Sequence, residues 1–246
     1  MIVICKFQSG YREFDLIIIL LLLSPLICFS VGDSVVELDS INIDLMNEQR
    51  ILQGGKNFQQ SCMSCHSLNS FVNDRVAKSL DMTSEKMPVW PDDSWNGHPP
   101  PDLSLIALSM SPEWLYTYLR TYYVDADRPT GYNNLVFPNT NMPNPFIDLQ
   151  GKQVLIDPNF SPSKHLGDHA LWYRVIKLKE GGSLSAEAFD DYVGDIVHFL
   201  TYVSDPSVHE RRSMGVWVLG YLGLFIVITY AYFRLVGKVF FKPLKH

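Results

Sequence analysis

Ser61-Cys62-Met63-Ser64-Cys65-His66, "SCMSCH", sets two thiols and an imidazole within five consecutive positions, Cys62 to His66. A disulfide or redox dithiol, a zinc ion and a haem could each use such a cluster. Each would need a different scaffold around it, so the reading of these residues decides the fold.

The chain has 246 residues and four cysteines. Cys5 and Cys28 belong to a segment expected to be removed. Leu16 to Phe29, "LIIILLLLSPLICF", is fourteen residues long, short of the roughly 20 that span a bilayer but suited to the apolar region of a secretory signal. Lys6 and Arg12 precede it and Ser30-Val31-Gly32 follow, which places cleavage near Gly32. Glu13 and Asp15 spoil the basic flank, so the rival is an uncleaved amphipathic or membrane-anchoring start, with cleavage the preferred reading. A lipobox at Cys28 does not fit, because Ile27 precedes it. Cys62 and Cys65 then remain alone, too few for a domain stapled by disulfides.

A second apolar run, Met214 to Phe233, "MGVWVLGYLGLFIVITYAYF", has twenty residues and no charge. It is long enough to cross the hydrocarbon core as a helix. Trp217, Tyr230 and Tyr232 lie near its ends, as interfacial aromatics do. Arg211 and Arg212 stand before it, against Arg234, Lys238, Lys242 and Lys245 after it, which favours a cytoplasmic C-terminus. The expected organisation is a signal peptide at 1–32, an exported (periplasmic) body at 33–213, a single membrane anchor at 214–233 and a short basic tail at 234–246. The body holds 14 Lys and Arg against 24 Asp and Glu, a net of −10. That sign excludes nucleic acid as a partner and would attract a basic one.

Within the body, Leu45 to Gln60 reads as a helix interrupted by Gly54-Gly55 and running into the cysteines. Lys86 to Asp102, with five prolines, reads as loop. Ser111-Pro112-Glu113 opens a helix with a capping hydroxyl, Pro at the first position and an early acid. Its apolar face is Trp114, Leu115, Tyr118, Leu119 and Tyr122. Asp125 to Phe160 returns to loop, with Gly151 to Ile156 as a short hairpin arm. A last soluble helix begins near Ser185, carries Phe189, Val193, Ile196, Val197, Leu200 and Val203, and stops at Asp205-Pro206. The fold class is mainly α, with long loops. Loops of this length need a reason in a compact domain, and a large apolar ligand that supplies the missing core is one.

Zinc wants four ligands. No second cysteine pair exists, and of the remaining histidines only His165 and His169 show paired spacing. A redox dithiol of thioredoxin type follows a strand, whereas here a helix leads in. Haem fits best: Cys-x-x-Cys-His is the covalent attachment signature of c-type haem proteins. Two thiols three residues apart can each form a thioether to a haem vinyl group, and the next imidazole then faces the iron. An open opposite side would bind gases or peroxide; a Met thioether would close it and raise the potential. Met142, in "NTNMPNPF" between stiffening prolines, is the preferred second ligand, and Met87, next to Pro88, is the reserve.

These segments together resemble the cytochrome c1 family, the haem subunit of ubiquinol–cytochrome c reductase. "GGKNFQQSCMSCHSLNSF" is similar to the family's attachment region, "NGHPPPDLS" to its Pro-Pro-Asp-Leu-Ser motif, "NTNMPNPF" to the loop bearing the axial Met, and "ERRSMG" to the entry into the anchor. The resemblance covers Leu45 to the end and implies one covalent haem c, with Cys62 and Cys65 as attachments and His66 and Met142 as axial ligands. It also implies Pro100, Pro101 and Asp102 around the haem. Arg120 and the Tyr118, Tyr122 and Tyr123 group are added as residues that could meet the haem propionates or rim, with a plain helix face and a solvent-facing Arg as the alternative. Implied partners are cytochrome b, a Rieske iron–sulfur protein as donor, a soluble cytochrome c as acceptor, and the lipid bilayer. Such a subunit relays single electrons and performs no substrate chemistry of its own. Rival readings are a terminal-oxidase haem subunit, a membrane-tethered mobile carrier, and a haem sensor or peroxidase. The short stretch Pro206 to Ser213 speaks against the mobile carrier.

Overall fold

The computed structural model describes residues 36–165 and 169–240. The expected signal peptide at 1–32 and the end of the basic tail, 241–246, lie outside the described residues. Helix predominates. Helix α1 is Glu48–Ser61; the Asn47 side chain caps it by accepting the Arg50 N–H at 3.1 Å, with Glu48 in the first turn. Short helices α2 (Arg75–Ser79), α3 (Ser94–Gly97) and α4 (Ile106–Ser109) follow. Helix α5 is Pro112–Arg120, with Ser111 accepting the Trp114 N–H at 3.2 Å.

Strands β1 (Tyr122–Val124) and β2 (Tyr132–Asn134) pair antiparallel, Tyr122 opposite Asn134. After α6 (Ile147–Gln150), strand β3 (Gly151–Leu155) pairs antiparallel with β4 (Ile176–Gly181) across a bulge at Lys152/Gln153. Helix α7 spans Ala186–Ser204 and α8 spans Val208–Phe240.

The core forms where α7 packs against α1 on one side and α5 on another. All six residues expected on the α7 stripe are buried, and His198, Phe199 and Tyr202 are buried with them. The Phe58, Phe71 and Tyr202 rings gather around Phe199, directly or through one another. Each such side chain contributes about 1.5–3 kcal/mol through burial.

The structure corrects three details of the sequence reading. Gly54-Gly55 does not interrupt α1. A Cβ on Gly54 would fall inside the contact shell of the Asp195 carbonyl oxygen and 2.8 Å from Phe199 Cβ, so glycine there lets α1 and α7 approach closely. Tyr122 belongs to β1: the helix stops at Arg120, because β-branched Thr121 and the tandem tyrosines favour strand. The Gly151 arm pairs with a strand two dozen residues later, so it is no local hairpin.

One helix among the described residues is long and apolar enough to cross a membrane. The span Glu210–Val236 has mean hydropathy 1.9 and none of its most apolar window is buried.

Candidate haem site

Cys62, Cys65 and His66 sit in the turn that ends α1. Cys62 N–H still bonds the Phe58 carbonyl at 2.8 Å, and the Cys62 carbonyl accepts from Cys65 N–H at 3.0 Å and His66 N–H at 2.9 Å. This winding turns all three side chains onto the wall of one cavity of about 630 Å³, within the range of a cofactor site. Neither cysteine is in a disulfide. Burial, and then the Cys65 sulfur, push the Cys62 thiol up to about 12, the opposite of the lowered value that a redox dithiol exploits.

His66 Nδ1 lies 2.8 Å from the Pro101 carbonyl oxygen. A carbonyl only accepts, so Nδ1 carries the proton and Nε2 keeps its lone pair. Burial pushes this imidazole below its ordinary value despite the Pro101 bond and the nearby Asp102, and a neutral imidazole is the form that ligates a metal.

The Pro-rich segment holds the arrangement from behind. Pro100 and Pro101 line the cavity. Asp102 does not; it accepts from Ser67 Oγ and Asn69 N–H at 2.7 Å and from Ser104 N–H at 2.8 Å. Burial alone would raise its pKa, but these bonds outweigh that and hold the carboxyl below its ordinary value. Leu103 N–H donates to the Ser67 carbonyl at 2.9 Å, and Trp90 Nε1–H to the Cys65 carbonyl at 2.8 Å. The Cys62–His66 turn is therefore braced on two sides.

Met142 lines the same cavity, whereas Met87 is 5% exposed in the core and off the wall. Met110 also reaches the wall. Its position at a helix entrance gave no sign of this. Arg128 Nη2 pins the Met142 loop, donating to the Asn139 carbonyl at 2.7 Å, the Thr140 carbonyl at 3.3 Å and Asn141 Oδ1 at 3.2 Å.

Arg120 is not on the wall, nor does it face solvent. Its guanidinium bonds Asp39 at 2.5 Å and Asp190 at 2.7 and 3.0 Å, and stacks over Tyr116 and Trp172. On α5, Leu115, Tyr118 and Leu119 face the cavity, while Tyr116 and Arg120 share the opposite stripe. Arg120 thus ties three distant segments together behind the cavity wall. Trp95, His98 and Phe137 complete the rim; their only sequence signal is proximity to the motifs.

The donor set suits haem. A large, apolar-walled cavity has two thiols, an imidazole with one free nitrogen and two thioethers, Met110 and Met142, along its lining. The family model described as Cytochrome C1 family matches residues 73–239. That range begins beyond Cys62–His66, so the Cys-x-x-Cys-His turn is separate support. The chain is similar to the cytochrome c1 of Allochromatium vinosum, 35% identical, covering 85% of this chain and 92% of that one. It is also similar to the protein named ammonia monooxygenase gamma subunit of Nitrosomonas europaea, 31% identical, covering 91% and 98%. The chain belongs to the cytochrome c1 family, c-type electron carriers with one covalently bound haem c.

Proposed function

We propose that this chain relays single electrons from a Rieske iron–sulfur protein to a soluble cytochrome c, seated beside cytochrome b in a quinol–cytochrome c reductase. Cys62 and Cys65 would carry the thioether attachments, and His66 Nε2 and Met142 Sδ would hold the iron. The observation that carries this reading is His66: its Nδ1 is committed to Pro101 at 2.8 Å, in a cavity whose wall also holds Met142.

When bound, the haem supplies a one-electron couple whose potential follows its ligands and burial. The chain's own residues hold it and exclude water. Pro101 fixes the His66 tautomer, Arg128 pins the loop of Met142, and the apolar wall keeps the medium dry. No proton donor or acceptor is required, because neither ligand needs to leave.

Apolar 214–233 anchors the body of 33–213 to a bacterial-type cytoplasmic membrane. The body faces the periplasm after loss of 1–32, and the tail of 234–246 lies in the cytoplasm. Arg234 and Lys238 after the span, with Lys242 and Lys245, support that orientation.

Two measurements test the proposal. Purification from membranes in mild detergent is expected to recover this chain with cytochrome b and an iron–sulfur subunit. Recovery with monooxygenase subunits instead would move it to the assembly that the Nitrosomonas europaea relative's name states. Reduced wild-type protein is expected to ignore carbon monoxide, whereas Met142→Ala binds it and Met110→Ala does not. Carbon monoxide binding by Met110→Ala alone would transfer the ligand role to Met110.

A further inference from the structure

Tyr118 is 8% exposed and faces the cavity from α5. Its ring is held on two sides. Trp114 stacks on it at 4.8 Å and 16°, and Tyr122 meets it edge-on at 5.3 Å. The hydroxyl is therefore fixed in space, and three groups surround it. Tyr122 Oη lies at 2.5 Å and donates to it, Thr140 Oγ1 lies at 3.0 Å, and Met142 Sδ at 3.5 Å.

The bond to sulfur has only one possible direction. A thioether sulfur has no proton and can only accept. Tyr118 has one proton to give. Thr140 Oγ1 accepts the Met142 N–H at 3.3 Å and keeps its own proton, for which the Tyr118 oxygen has a lone pair beside the one used by Tyr122. With Tyr122 and Thr140 both donating to Tyr118, the Tyr118 proton goes to the sulfur and every hydroxyl is satisfied. The reverse arrangement, Tyr118 donating to Thr140, sends the Thr140 proton to Tyr122 and turns an oxygen lone pair toward the sulfur lone pairs at 3.5 Å, a repulsive contact that the first arrangement replaces with a hydrogen bond.

We propose that Tyr118 is a positioning residue that donates its hydroxyl proton to Met142 Sδ, selecting which sulfur lone pair remains for the iron and raising the haem potential. The inference rests on Met142 being the axial ligand. A thioether has two lone pairs, and engaging one orients the other. The donor also draws electron density from the sulfur. That weakens its support of ferric iron more than of ferrous iron, so the reduced state gains.

The test uses the full-length holoprotein in detergent. In Tyr118→Phe the shape is kept and only the donor is lost. The haem is expected to stay covalently attached with the charge-transfer absorption of a ferric His–Met haem retained, while the midpoint potential shifts downward. Tyr122→Phe removes a hydroxyl from the same network but not the one on sulfur, and is expected to shift the potential less. An unchanged potential in Tyr118→Phe, or an equal shift in Tyr122→Phe, overturns the proposal. If Tyr118→Phe fails to hold haem, NMR of the ferrous wild-type protein replaces it. A Tyr118 hydroxyl proton protected from exchange and close to the Met142 methyl supports the bond; its absence overturns it. Failure of the underlying ligand reading looks different: Met142→Ala would then leave the reduced iron closed to carbon monoxide.

Discussion

His198 is fully buried in α7 and takes no part in the cavity wall. Its Nδ1 lies 2.8 Å from the Gly194 carbonyl and its Nε2 accepts the Asp44 N–H at 3.3 Å. Both nitrogens are thus committed to the neutral ring, and a second proton would face an N–H. Burial pushes its pKa below the ordinary value and Arg50 adds to this; Gly194, Asp195 and Asp44 oppose them without prevailing. The unfolded chain therefore takes up a proton near pH 6.5 that the folded chain refuses. Stability is fully present above that pH and declines as pH falls below it. Urea midpoints measured from about pH 7.5 down to 5 should show the decline, and His198→Gln should flatten it while lowering stability throughout. An unchanged slope in the variant would place the acid sensitivity elsewhere. His198 had no sequence signal beyond its place between two α7 stripe residues. That Cys62, Cys65, His66 and Met142 share one cavity wall was legible, because the attachment and ligation proposed for them would impose residue types at fixed spacing or beside prolines. Tyr118 was visible only as one aromatic among several, since its hydroxyl contacts depend on Thr140 and Met142 more than twenty residues away.

At the level of elements, the caps of α5 and α7 were readable from Ser111-Pro112 and Ser185 because capping is local chemistry. Gly54 misled for the complementary reason. Glycine in a helix interior costs about 1 kcal/mol relative to alanine, and a sequence shows that cost without showing its return. The return is Asp195, whose carbonyl occupies the space where a Cβ would stand. Gly54→Ala is accordingly expected to destabilise by at least about 1–3 kcal/mol, the usual penalty of overpacking, despite its better helix propensity. Gly181→Ala in β4, where an added Cβ meets nothing within 4 Å, is the matched control and should change the melting temperature little. Equal melting temperatures for both would show that α1 and α7 can separate freely. Strands β1 and β2 were missed because three-residue strands have no room for alternation, and Tyr122 keeps a helix-like spacing from Tyr118 even after the helix has ended.

Across the whole molecule, two distributions of surface do separate work. The body carries a net −10, while α8 leaves its apolar side chains exposed along the candidate span. Nothing in that span packs into the core formed by α1, α5 and α7, so the anchor and the haem-binding body are energetically separable. Deleting everything after residue 207 should leave a body that holds haem, melts within a few degrees of the full chain and partitions into water. Membrane-bound haem after that deletion would reveal a second attachment to the bilayer. The charge then sets how the freed body meets its acceptor. Interactions beyond the Debye length, about 8 Å at physiological ionic strength, are screened. The freed body from 33 to 207 keeps 12 Lys and Arg against 23 Asp and Glu, a net of −11, so its attraction to a cationic protein should show as an association rate that falls steeply with added salt. An acidic acceptor should show the opposite trend. Stopped-flow oxidation of the reduced, truncated protein by acceptors of both signs separates the cases. A rate indifferent to salt with the cationic acceptor would mean that the contact surface is an apolar patch around the cavity rim, where Trp95 and Phe137 are 41% and 53% exposed, and that the acidic residues serve solubility alone.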